Sequence, residues 1–203
     1  MSNSTSHAMH PVFQKNAFLV KEHVGALKAS NAYDLYDPTT GEKLLECREP
    51  SLSGLTKLFR FTDSKRSTPF DVHMTTPPGE RVLEVKRGVA LFLSKVEVLD
   101  GRGALLGRFE QKLFSIGGRF DVMDPHGAAL CTLQGKFTAW EFRFFSPTKD
   151  YAVVTKKWAG AGKELFTSAD DYIVQIKDAV APDDPVRPLI LAAVIVVDMV
   201  LKE

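Results

Sequence analysis

The sequence is poor in cysteine and has no excess of either charge. Its 203 residues include two cysteines, Cys47 and Cys131, which are far apart and lie in strand-like segments. This usage argues against the disulfide framework of a small secreted protein and favours a reducing, cytoplasmic location. Because 26 Lys and Arg face 25 Asp and Glu, the chain as a whole offers no attraction for nucleic acid. A charged partner would need a local patch.

Two kinds of long apolar segment are also absent. The N-terminal residues 1–11 are polar and lack the apolar region of a signal peptide, so we expect a disordered lead-in. The longest apolar run, Leu189 to Leu201, has twelve apolar residues among thirteen. A spanning helix needs roughly 20, so no transmembrane span is predicted. With 44% hydrophobic and 25% charged residues, residues 12–203 are predicted to form a single globular domain.

Short β-branched and aromatic runs, separated by Gly, Pro, Asp or Asn, fill the chain from Ala17 to Gln175. This spacing is typical of an antiparallel meander. Two segments, VEVLDGRGALLGRF and FDVMDPHGAALCTL, share one template in which Asp100 and Asp124 each precede a glycine by three residues. Looser copies surround Asp37 and Pro147. Asp and Gly are turn-forming residues, so we interpret them as structural and not as metal ligands.

The alternation of residues within these strands predicts a wall with one buried face. Phe120, Val122, Phe142 and Phe144 share one face, whereas Arg119, Asp121 and Arg143 share the other. About twelve such strands are expected to close into a barrel, which removes the exposed sheet edges. A barrel of that size is too wide for its own side chains to fill.

The apolar C-terminal run is the predicted occupant of the barrel. Its β-branched residues favour a strand, but Pro185 and Pro188 after two aspartates are typical of a helix entrance. A central hydrophobic helix is therefore predicted over about 188–201. Asp198 is the one charge in this run, so it needs a partner or a position at the barrel mouth.

The C-terminal third resembles a known family. KKWAGAGKELFTSADDYIVQI, followed by the apolar run, is similar to the signature of the phospholipid scramblases and LURP-one-related proteins, which belong to the tubby C-terminal-like superfamily. The structural signature residues are Trp158, Gly160, Asp170, Tyr172 and Asp198. The resemblance implies a mainly β fold, a twelve-stranded antiparallel barrel around a hydrophobic C-terminal helix, which agrees with the prediction from the residues.

The resemblance implies several functions, because one fold carries different roles. Tubby proteins bind phosphoinositide head groups through basic residues, and scramblases are proposed to move phospholipids in response to calcium. This chain lacks the Pro-rich N-terminal region and palmitoylated cysteine cluster of eukaryotic scramblases. Our leading hypothesis is a non-enzymatic domain that binds anionic phospholipid head groups or associates peripherally with membranes. The alternatives are a scaffold without lipid function and a barrel for a small apolar ligand, which a chain-filled interior disfavours.

Basic residues are the candidate head-group ligands, although a solvated barrel exterior explains them equally well. They are Lys57, Arg60, Lys65, Arg66, Lys156 and Lys157.

The sequence predicts neither a metal cofactor nor a catalytic centre. The segment that would align with the scramblase calcium site keeps Asp170 and Asp171, with Asp178 out of step, and lacks the Asp, Gly and carboxylate that such a loop requires at its first, sixth and twelfth positions. These three residues are therefore weak calcium candidates. The five histidines, including His73 and His126, show no metal-like or triad-like spacing.

Overall fold

A computed structural model describes residues 9–23, 32–50, 68–89, 93–112, 118–136, 140–156 and 171–201. Within these ranges, twelve strands form one closed antiparallel barrel, as predicted. The strands are β1 (Ala17–Glu22), β2 (Tyr33–Tyr36), β3 (Lys43–Arg48), β4 (Phe70–Thr75), β5 (Arg81–Arg87), β6 (Lys95–Asp100), β7 (Leu105–Gln111), β8 (Arg119–Met123), β9 (Ala129–Lys136), β10 (Glu141–Phe145), β11 (Asp150–Thr155) and β12 (Tyr172–Ile176). Each strand pairs with its neighbours in the sequence. β1 closes the barrel on β12, with Ala17 opposite Gln175.

The repeated Asp-Gly template forms tight hairpin turns. Oδ1 of Asp100 accepts hydrogen bonds from the backbone N–H groups of Arg102, at 2.9 Å, and Ala104, at 2.8 Å. Oδ1 of Asp124 accepts one from Ala128 at 2.7 Å. Gly103 in the first turn has a φ of 88°, a backbone conformation that glycine adopts more easily than residues with a Cβ atom. The side chains of both aspartates therefore stabilise the turns by accepting backbone hydrogen bonds.

The wall of the barrel has the predicted alternation. Phe120, Val122, Phe142 and Phe144 are fully buried inside the barrel, and Arg119 and Arg143 are exposed on its outer surface. Pleating of the strands explains this arrangement, because successive side chains point to opposite faces.

The apolar C-terminal segment is the predicted central helix. Helix α1 (Val186–Val196) is buried at all eleven positions and continues into a π-helical turn, Val197–Leu201. It begins two residues before the expected start at 188, because Pro188 fits within a first helical turn. The barrel surrounds the helix with apolar side chains, so burial outweighs the strand preference of its β-branched residues.

One glycine lets the helix approach the wall closely. A Cβ atom at Gly107 of β7 would lie 2.9 Å from Cδ1 of Leu189 and 2.4 Å from the carbonyl oxygen of Met123. Neither distance is compatible with normal packing, so any larger residue at position 107 would displace the helix or the wall.

Arg187 fixes the entrance of the helix. Its side chain is fully buried, and its guanidinium donates hydrogen bonds to backbone carbonyl groups on both sides of the entrance. The acceptors include the carbonyl oxygens of Gln14 at 3.1 Å, Lys15 at 2.9 Å and Val180 at 2.9 Å, and Oδ1 of Asn16 at 2.6 Å. These bonds join α1 to the segment that follows the 3-10 turn Pro11–Gln14.

Candidate functional site

The connections between strands differ in composition between the two ends of the barrel. At one end, five short connections join consecutive strands, at 37–42, 76–80, 101–104, 124–128 and 146–149. They contain Gly, Pro, Asp and Thr but no Val, Ile, Leu, Met, Phe or Trp. Because Arg187 contacts the residues just before β1, the helix enters at this end, which we call the turn end.

The opposite end, which we call the loop end, is joined by connections 23–32, 49–69, 88–94, 112–118, 137–140 and 156–171. Every one of these connections contains a large apolar residue, and four of the six contain Lys or Arg. The connections between strands at the loop end are thus richer in large apolar and basic residues than those at the turn end.

Val89 and Leu93 are the exposed large apolar residues in the described part of the chain. They are 71% and 39% exposed, and both belong to the connection between β5 and β6 at the loop end. Single apolar residues are common on protein surfaces, but these two belong to the same connection.

A stacked column of side chains runs inward from the rim of the loop end. Nζ of Lys156 lies 4.0 Å from the centroid of the Trp140 ring, within the range of a cation–π interaction. The Trp140 ring packs on Tyr172, with centroids 5.6 Å apart. Trp140 has a φ of 45° and is the one non-glycine residue with positive φ among the described residues. For such a bulky residue this backbone is strained, so its surroundings must hold it in place.

The column ends at a buried carboxylate in the core. The hydroxyl of Tyr33 donates a hydrogen bond to Oδ2 of Asp198, at the start of the π-helical turn. Burial raises the pKa of Tyr33 well above its usual value, and the charge of Asp198 raises it further. Burial and the same charge also raise the pKa of Tyr172. Both tyrosine hydroxyl groups are therefore neutral at physiological pH, and that of Tyr33 is the one that donates to Asp198.

A second carboxylate, Asp34, is buried at the outer side of β2. It accepts hydrogen bonds from Arg48 at 2.6 Å and is 2.9 Å from both Lys43 and His23. Burial alone would raise the pKa of Asp34, but hydrogen bonds from Lys43, His23 and Arg48 outweigh it and hold that pKa well below its usual range. Asp34 therefore remains charged and joins β2 to β3 and to the residue after β1.

Buried polar side chains follow the same asymmetry as the connections. Within the described ranges they are Asp34, Thr68, Arg87, Ser94, Thr155, Asp171, Arg187 and Asp198. All but Arg187 lie near the loop end, at or beside the ends of their strands or of the helix. Buried polar groups are costly unless they are paired, so such a concentration makes the loop end the candidate functional site.

Most of the basic residues predicted from the sequence lie outside the described residues. This applies to Lys57, Arg60, Lys65, Arg66 and Lys157, and also to the signature residues Trp158, Gly160 and Asp170. The strands that border their two connections, 49–69 and 156–171, end at the loop end, on either side of connection 23–32. Lys156, Tyr172 and Asp198 are described, and they lie along the column and the carboxylate at its base.

The described calcium candidates are not brought together. Asp171 precedes β12 at the loop end, where it is buried, and Asp178 follows β12 at the turn end, where it accepts a hydrogen bond from Asn16 at 3.0 Å. Seven residues of extended chain separate them by about 20 Å. They cannot share one ion. Asp170 lies outside the described residues.

The sequence prediction did not single out three residues of this end, Tyr33, Asp34 and Trp140. Tyr33 and Asp34 belong to the short strand YDLY, in which the aspartate is the only charged residue. A charged residue in such an apolar strand indicates a polar contact. Trp140 carries no such local signal, because its partners Lys156 and Tyr172 meet it only through strand pairing.

The fold and this end define a closed twelve-stranded barrel that is threaded by its own C-terminal helix. The family model described as Scramblase matches residues 9–203, and the chain belongs to the Scramblase family. The resemblance seen in the C-terminal residues is thereby confirmed. Comparisons with curated proteins and with solved structures found no match. In the described ranges, no helix is both long and apolar enough to cross a membrane.

Proposed function

We propose that this protein is a non-enzymatic lipid-binding domain, which attaches to membranes peripherally from the cytoplasm by holding anionic phospholipid head groups at its loop end. The observation that carries the proposal is the difference in composition between the strand-to-strand connections at the two ends of the barrel. Large apolar residues occur in all six connections of the loop end and in none of the five at the turn end. Membership of the Scramblase family supports a phospholipid as the partner.

Basic and apolar residues have different roles in this proposal. The basic residues, which are Lys57, Arg60, Lys65, Arg66, Lys156 and Lys157, attract phosphate groups, and each contributes about 1 kcal/mol close to an anionic surface. Lys156 is held at the rim by the ring of Trp140, so its ammonium group is positioned before a lipid arrives.

The apolar residues extend the contact beyond electrostatics. Val89 and Leu93 expose their side chains to water at the same end of the barrel, and burying them at the membrane interface removes that apolar surface from water. Binding should therefore keep a component that salt does not weaken.

Two alternatives make different predictions. A scaffold protein would use the same exposed residues against a protein and would show no preference for anionic lipid. A barrel for a small apolar ligand needs an empty interior, whereas α1 fills the centre of this barrel with eleven buried residues.

Co-sedimentation with liposomes tests the proposal. The protein should bind vesicles that contain phosphatidylserine or a phosphoinositide, should bind neutral vesicles weakly, and should bind anionic vesicles less tightly as salt increases. Lys65→Ala/Arg66→Ala should weaken binding by about tenfold or more. Calcium should not be required, since the two described calcium candidates, Asp171 and Asp178, lie at opposite ends of β12.

Arg102→Ala/Lys177→Ala is the matched control, because it removes the same charge from exposed residues at the turn end. Equal losses in the two double variants would show that net charge, and not the loop end, determines binding. Val89→Ser/Leu93→Ser should weaken binding without changing its dependence on salt. Equal binding to neutral and anionic vesicles would reject a head-group site.

A further inference from the structure

Three metal-ligating side chains converge on the outer wall of the barrel, where β4 lies beside β5. Asp71 and His73 are two residues apart on β4, so they share its outer face. Glu84 lies on β5 directly opposite His73. Nε2 of His73 is 3.4 Å from Oδ1 of Asp71, and one ligand atom from each of the three residues lies within 4.8 Å of the others.

The backbone beneath this cluster is fixed by the core. Val72 and Met74, the inward neighbours of His73, are fully buried, as are Leu83 and Val85 beside Glu84. Because these residues anchor both strands, the backbone positions from which the three ligands extend are fixed. Sites on regular strands hold such geometry more precisely than sites on loops.

We propose that Asp71, His73 and Glu84 form a surface site for a divalent transition-metal ion of the zinc class. Tetrahedral zinc has bonds of about 2.0 Å to nitrogen and oxygen, which places its ligand atoms about 3.3 Å apart. The observed separation between His73 and Asp71 already matches that value. Three protein ligands leave the fourth position for water. Calcium prefers an all-oxygen set of six to eight ligands, so the imidazole selects against it.

The charged neighbours limit the affinity but do not block the site. Glu84 lies 3.4 Å from both Arg81 and Lys86, in partly exposed ion pairs of the kind that contribute little energy. Arg48 of β3 is the cross-strand neighbour of His73, but its guanidinium donates to Asp34 at 2.6 Å. A bound ion therefore replaces weak contacts of Glu84 with Arg81 and Lys86, and Lys86 also lies opposite Asp71.

Sequence spacing could not reveal this cluster, because Glu84 reaches the other two residues through the pairing of β4 with β5. The proposed metal site is separate from the proposed lipid site, because it uses none of the residues assigned to head-group or membrane contact. Cys47 and Cys131 are buried and do not compete for added metal.

Calorimetric titration of the chelator-treated, full-length protein with zinc chloride tests the proposal, and absorption of the cobalt-substituted protein reports its coordination. One zinc ion should bind per chain. His73→Gln and Glu84→Gln should each weaken binding more than about tenfold. Lys86→Met should strengthen it by removing the competing cation. Melting curves of each variant check that the barrel is intact.

His126→Gln and His10→Gln are the controls, because these two histidines lie outside the cluster and an imidazole can bind zinc by itself. Both should keep the wild-type affinity. Absence of zinc binding, or binding that survives His73→Gln and disappears in a control, would overturn the proposal.

Discussion

The hydroxyl of Tyr33 donates its hydrogen bond to Oδ2 of Asp198, so the first residue of β2 holds the final turns of a helix 165 residues later in the chain. The contact joins the wall of the barrel to its central helix at the loop end. It also places a carboxylate inside an apolar core, where the loss of a hydrogen bond to a charged group is costly.

Tyr33→Phe should lower the free energy of unfolding by about 1 to 3 kcal/mol, because it removes a donor from a buried carboxylate. Tyr172→Phe is the matched control. The Tyr172 hydroxyl is buried without a hydrogen-bond partner in the described part of the chain, so its removal should leave stability unchanged or slightly higher. Urea denaturation measures both. A larger loss in Tyr172→Phe than in Tyr33→Phe would contradict this assignment.

Alkaline pH should destabilise the barrel through the same tyrosines. Burial raises the folded-state pKa of Tyr33 and Tyr172 above the unfolded value of about 10. Their contribution to stability is therefore complete below about pH 10 and is lost as pH rises toward the folded values. The free energy of unfolding should fall less steeply above about pH 10 in Tyr172→Phe. Parallel curves would show that Tyr172 does not titrate differently in the folded and unfolded states.

Acid should weaken the protein through Asp34. Hydrogen bonds from Lys43, His23 and Arg48 outweigh burial and lower the folded-state pKa of Asp34 below the unfolded value of about 4. The stability that these bonds provide is present above about pH 4 and is lost as pH falls through the lowered pKa.

Asp34→Asn tests this assignment, since an amide cannot balance the adjacent cations or titrate in acid. The variant should be less stable than wild type at neutral pH, and its free energy of unfolding should vary less below about pH 4. Denaturant titrations across the acid range measure both effects. An unchanged acid slope would assign the loss of stability to other carboxylates.

The sequence predicted the strands and turns well because each of them is determined by residues that are close together in the chain. The alternation of Phe120 with Val122 sets the buried face of a strand, and Asp124 with Gly127 forms the adjoining turn. The central helix was predicted because a segment that is apolar on every side has to be surrounded by protein, and the barrel has an interior to fill. The helix begins at Val186, two residues before the predicted start of about 188, since a proline is compatible with a first turn.

Contacts between distant segments could not be predicted in this way. The sequence showed that Asp198 needed a partner, but Tyr33 becomes that partner only when β2 is placed beside the end of the helix. Similarly, the strand order brings connections 49–69 and 156–171 to one end of the barrel, and neither connection contains a signal for the other.

Arg187→Met should destabilise the protein by about 3 kcal/mol or more. The substitution keeps an apolar stem but leaves the carbonyls of Gln14, Lys15 and Val180 without their buried donor. Arg143→Met is the control, because Arg143 is exposed and pairs with Asp150 on the outer wall at 2.9 Å. That change should alter stability by less than about 0.5 kcal/mol. Similar losses in the two variants would reject a special role for the helix entrance.

Removal of the C-terminal helix tests whether this helix is part of the folded core or a membrane anchor. Each buried apolar side chain of α1 contributes about 1.5 to 3 kcal/mol, whereas the net stability of a whole domain is about 5 to 15 kcal/mol. A chain that ends at Asp184 should therefore be insoluble or molten, and it should lose the cooperative thermal transition that calorimetry detects in the full protein. Deletion of residues 1–8 is the control and should leave that transition unchanged. An anchor predicts the reverse result, since the shortened chain would be more soluble and would still melt cooperatively at the wild-type temperature. That outcome is incompatible with eleven consecutive buried helix positions at the centre of the barrel.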